Sequence, residues 1–226
     1  MTVSSEVVNR RAAVSLELNS YLKSTIDSEI VPQSLRAKYS FAAFDLSIEH
    51  HYSIALLVSN KRDGSAYALL RPLIEAEIAG RWLSFCASDE QIEKVRVKGF
   101  CPKPEAMLKQ LEKSIQTENR IQTMFAGDGR VLHDFTHSGI EQWERRIASS
   151  GKVEPSYSDR EIQGVMAISD LFASLSALGI AFGCAKIEVV NQIIPRLNKM
   201  REEFDLQKDF VYPKKLLQVS KVSTHG

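Results

Sequence analysis

What most constrains this chain is its punctuation. Its 226 residues hold 7 prolines and 11 glycines, most of them standing between segments whose apolar residues recur at helical spacing. Apolar residues at i, i+3, i+4 and i+7 line one face of a helix, and no segment shows the period-2 alternation of a strand. The pattern predicts an all-α protein, a helical bundle of six to eight helices. At 44% hydrophobic residues there is material for a core. One domain over 1–204 is expected, with a loosely docked tail over 205–226.

Ser4 or Ser5 can cap a first helix running to about Asp27, with Val7, Val14, Leu18, Tyr21 and Leu22 facing inward. Ser34 opens a second helix to about Ser59, with Phe41, Phe44, Ile48 and Ala55 on one side. After a turn at Lys61–Gly64, a third helix over about Ser65–Ala87 contains Pro72. A proline inside a helix removes one backbone bond at about 3 kcal/mol, so one long kinked helix is expected. Shorter helices follow Ser88-Asp89 and cover about Glu105–Asn119 and Glu141–Ala148. Ser158 and Glu161 have capping-box spacing and open an apolar helix to about Phe204, broken near Gly183 or Pro195.

Charge and cysteine use narrow the function classes. Lys+Arg 29 against Asp+Glu 28 leaves a formal charge of +1, so any RNA or DNA contact must be local rather than global. Arg10-Arg11, Lys61-Arg62, Arg145-Arg146 and Lys214-Lys215 read as solvated surface or tail. Cys86, Cys101 and Cys184 are odd in number and lack CxxC spacing, which indicates free thiols in a reducing compartment. Residues 1–11 lack the apolar region of a secretory signal. The most apolar stretch, Leu171–Ala185, is shorter than the about 20 residues a membrane span needs. A cytoplasmic protein without membrane contact is expected.

One set of polar residues does not fit a plain bundle. On a helix, Arg130, His133, Asp134, His137 and Glu141 share one face, with Val131, Leu132 and Phe135 away from it. Arg71 and Glu75 form an i,i+4 pair on the kinked helix, and Arg81-Trp82 continues it. A buried ion pair needs further partners, so Arg71 and Glu75 are expected to join His133 or His137 in one network, with Arg81 a further binding candidate on the same helix. Of His50 and His51, about 100° apart on a helix, at most one looks inward.

Several chemistries can use this set. Metal-independent RNA cleavage needs a base, an acid and a cation; His137 supplies the base and Arg130 the cation, His133 orients, and a dimer would bring two copies to one groove. His133 and His137 have the i,i+4 spacing of a zinc pair, but Asp134 stands where HExxH requires glutamate and no third ligand has a family spacing. No metal and no cofactor are therefore expected. The remaining readings need no catalysis: a pocket for a small anion or nucleotide, or a hydrogen-bonded seam that fixes the fold.

Leu70-Arg71-Pro72-Leu73-Ile74-Glu75, Gly80-Arg81-Trp82-Leu83 and Leu132-His133-Asp134-Phe135-Thr136-His137-Ser138-Gly139 resemble an uncharacterised bacterial all-helical domain family. The resemblance implies an all-α fold and no particular reaction. Arg130 and His137, six residues apart between them, are also similar to the Arg-x4-6-His signature of HEPN domains. That resemblance implies an up-down helical core and a homodimer. It further implies a metal-independent ribonuclease of toxin–antitoxin or anti-phage systems, acting on RNA beside an antitoxin or defence partner. Two departures stand: Val131 follows the arginine where the signature places a polar residue, and a long helix pair follows the motif.

Overall fold

The computed structural model describes residues 6–26, 33–115 and 132–203. Ser34 does start a helix, its hydroxyl accepting the Ala37 N–H at 3.1 Å. Ser88 and Ser158 each close a reciprocal capping box, with Gln91 and Glu161. The resulting helices are α1 Glu6–Ile26, α2 Leu35–Ser59, α3 Asp63–Phe85, α4 Asp89–Lys98 and α5 Pro104–Ile115. After a helical turn at 132–136 come α6 Ile140–Glu144, α7 Asp159–Gly183 and α8 Ile187–Glu203. Among the described residues no strand forms, and a single isolated bridge joins Ile147 to Val153. The protein is an all-α helical bundle.

α2 is the central element, packed against α1, α3 and α7. α5 covers α3, and α8 covers α7. One apolar cluster gathers Leu70, Leu73, Ile78 and Trp82 with Ile54 and Met166; a second surrounds Phe44 and Ile48 with Leu18, Leu22 and Ile193. The Phe44 ring sits where three helices meet. A Cβ on Gly80 would lie 2.6 Å from its Cδ1, and one on Gly179 would lie 2.5 Å from its Cζ. Side chains at those two positions would push α3 and α7 off α2.

α3 is one helix with Pro72 inside it, as the pattern predicts. The break in the C-terminal apolar segment falls at Gly183, and Pro195 lies within α8. α7 is longer than its most apolar stretch and meets the length and composition of a membrane span, yet 72% of its most apolar window is buried inside the bundle.

The inner face of α1 differs from the expected one. Val7 is 49% exposed, and the buried side is Val8, Arg11, Ala12, Ser15, Leu18, Asn19 and Leu22. Arg11 is not solvated surface but 1% exposed. An apolar stripe cannot reveal this face, because its polar members are buried against partners on other helices.

Candidate functional site

Two polar assemblies occupy different places. The first is enclosed. Asp170, in the apolar middle of α7, is 1% exposed and takes the Arg11 guanidinium on Oδ2. Its Oδ1 accepts from His51 Nε2 at 2.7 Å. His51 Nδ1 in turn lies 3.1 Å from Asn19 Nδ2, which also donates to the Ile48 carbonyl at 2.8 Å. Arg11 Nη1 donates to Ser15 Oγ at 2.9 Å. These contacts assign the imidazole one donating nitrogen, toward Asp170, and one accepting nitrogen, toward Asn19. Burial by itself would push the Asp170 carboxyl up, but Arg11 and the His51 hydrogen bond outweigh it and hold it below the usual range.

This cluster resembles an acid–base dyad in composition only. Both imidazole nitrogens are occupied and His51 is 0% exposed, so no substrate reaches it. Its role is to lock α1 and α7 to α2. Of the adjacent pair, His51 is the inward one and His50 is half-buried.

The second assembly is open. The turn at 132–136 docks on α3 through Phe135, 3% exposed, whose ring lies 4.7 Å from that of Tyr67. Thr136 Oγ1 donates to Leu132 O at 2.9 Å and lies 3.3 Å from the Ala68 carbonyl. His133 and His137 are exposed, their rings 4.3 Å apart and tilted by 44°. Arg71 follows Tyr67 and Ala68 by four and three residues, so it stands on the face of α3 that receives this turn. Arg71 Nε bonds Glu75 Oε1 at 2.6 Å, the two side chains 19% and 32% exposed.

The other expected members separate. The Asp134 carboxylate reaches toward α6, where it lies 3.4 Å from the Glu141 N–H. Gly139 permits this: a Cβ there would stand 2.6 Å from Asp134 Cγ. Arg81 binds the Glu77 carboxylate and donates to the Leu175 carbonyl at 3.1 Å. At 1.5 Å per residue it lies about 15 Å further along α3 than Arg71, so it ties α3 to α7 instead of joining the histidine turn. Burial drives the Glu77 carboxyl up, against the pull of Arg81. Arg130 lies outside the described residues. Among the described residues no third metal-ligating side chain joins His133 and His137.

Sequence reasoning missed the enclosed lock, although a signal was present. Arg11, Ser15 and Asn19 are spaced i, i+4, i+8, a polar stripe on an otherwise mixed helix, and Asp170 interrupts an apolar run.

Fold and sites together define an all-helical protein whose bundle is pinned by an enclosed Arg–Asp–His–Asn lock and carries an exposed histidine turn. More particularly, the chain belongs to the family of unknown function DUF6988, whose model matches residues 44–205. No curated protein and no solved structure matches it. The matched span contains His51, Arg71, His133, His137 and Asp170, whereas Arg11, Ser15 and Asn19 of α1 precede it.

Proposed function

We propose that the chain is a metal-independent ribonuclease of HEPN-like type, serving a defence or toxin–antitoxin role, with its reaction centred on the histidine turn. The carrying observation is the pair of accessible imidazoles in mutual contact, seated on the face of α3 that bears Arg71. His137 takes the 2′-hydroxyl proton, and the freed oxygen attacks the adjacent phosphorus. The bond to the 5′-oxygen then breaks, and that oxygen receives a proton from His133 or from the imidazole of a second protomer. The products are a 2′,3′-cyclic phosphate and a 5′-hydroxyl. Arg130, at signature spacing from His137, supplies positive charge to the pentavalent phosphorane, where charge stabilisation contributes most. Incubation of the purified protein with RNA in EDTA tests this directly. Cyclic-phosphate ends should appear and should be lost in His137→Ala; intact RNA at high protein concentration would sink the reading.

A second reading has its own support. Asp134 is engaged at α6, so it orients neither imidazole. A turn that presents two imidazoles without an orienting carboxylate also suits a binding module that holds an anionic ligand or partner and performs no chemistry. RNA retention without cleavage would select it.

A further inference from the structure

α6 contributes no buried residue to the core. It is nonetheless fixed at three points. The Asp134 carboxylate meets the Glu141 N–H, Gln142 Nε2 donates to the Gly64 carbonyl at 2.9 Å, and Arg145 pairs with Glu161 at 2.5 Å just past its end. Among charged neighbours such as Glu144 and Arg146, this pinned helix and the bridge after it hold out four large apolar side chains to solvent: Ile140 at 55%, Trp143 at 61%, Ile147 at 61% and Val153 at 86%. A helix that packs nothing inward but is held firmly is placed for what it presents. Tryptophan is the most telling residue there, since it is highly buried on average.

We infer that Trp143 is the stacking platform for an unpaired base of a single-stranded RNA whose phosphate lies at the His133–His137 turn. The inference rests on the proposed ribonuclease reading and names its substrate class. Three observations carry it. Trp143 and His137 belong to one local unit, because the Asp134–Glu141 contact fixes α6 against the histidine turn. Trp143 exposes its ring rather than packing it. With a formal charge of +1, the chain has little long-range field to hold a polyanion, so local contacts carry the affinity, and one that needs no charge adds to those on the phosphate. Stacking on an aromatic face is such a contact, and it is open to any unpaired base. Bases already stacked inside a duplex cannot use it.

The chain supplies its own probe. It has two tryptophans, and Trp82 is 0% exposed with its Nε1 donating to Gln110 at 2.8 Å. A base stacked on the protein should therefore quench Trp143 emission alone. In a His137→Ala background, single-stranded oligoadenylate should quench the exposed component, while its duplex with oligouridylate and inorganic phosphate should not. Trp143→Ala should weaken oligoadenylate binding by at least about fivefold, with Trp143→Phe retaining most of it. Binding unchanged in Trp143→Ala would overturn the inference. So would loss of a dimer in analytical ultracentrifugation with RNA affinity intact, which would make the apolar patch a protein interface. So would no RNA binding at all. Wild-type cleavage with no Trp143 dependence would remove the platform and leave the ribonuclease. Trp143-dependent binding without wild-type cleavage would do the reverse.

Discussion

Nε2 of His51 lies 2.7 Å from Oδ1 of Asp170 across the α2–α7 interface, and neither side chain reaches solvent beyond 2%. The contact sits beside the Arg11–Asp170 ion pair, so one carboxylate satisfies a cation from α1 and an imidazole from α2 at once. Removing one member therefore does more than delete a bond, because it strands the others in a low-dielectric interior.

Asp170→Leu should destabilise the protein by about 3–5 kcal/mol, since the Arg11 guanidinium stays buried without its carboxylate. The double variant Arg11→Met, Asp170→Leu should recover the part of that loss due to the stranded guanidinium, while His51 Nε2 still lacks its acceptor. Urea denaturation of the full chain measures both. Equal losses in the single and double variants would mean that the ion pair is not the source.

The same carboxylate sets a pH dependence. Asp170 titrates below its unfolded value in the folded protein. Its contribution is therefore fully present above the unfolded value of about 3.9 and is lost as pH falls through the folded one. The difference in urea midpoint between wild type and Asp170→Asn should be flat near neutrality and should narrow below about pH 4. A gap that widens on acidification would contradict the arrangement.

Gly179→Ala should cost about 1–3 kcal/mol by overpacking, as its methyl would intrude on the Phe44 ring. Phe44→Leu should cost stability alone, yet added to Gly179→Ala it should cost less than the sum. A double-mutant cycle read by thermal unfolding reports that coupling.

Expressing the wild-type chain in bacteria should slow growth, and His137→Ala should relieve this more completely than His133→Ala. Loss of a general base typically lowers rate by about 10²–10⁴-fold. Arg130→Lys should also relieve it, because an ammonium cannot reproduce the two-pronged contact of a guanidinium with phosphate oxygens. Growth counts and total-RNA integrity together score the series. Harmless expression of the wild-type chain would favour the binding module.

The helices themselves were legible from local chemistry. Ser34, Ser88 and Ser158 announce helix starts because their hydroxyls satisfy free backbone N–H groups within three residues, and Pro72 sits in a run too helix-prone to break. The adjacency of His133 and His137 was equally readable, being an i,i+4 consequence of one helical turn. What the sequence could not carry is which long-range partner each polar residue meets. Arg11 passes for surface until α7 brings Asp170 to it, 159 residues away. Arg81 passes for a companion of Arg71 until Glu77 and the Leu175 carbonyl claim it. Asp134 passes for the orienter of a histidine until Gly139 lets it turn to α6. Helical periodicity fixes a side chain's direction about its own axis, but whether that direction is water or a buried counter-charge is decided only when helices pack.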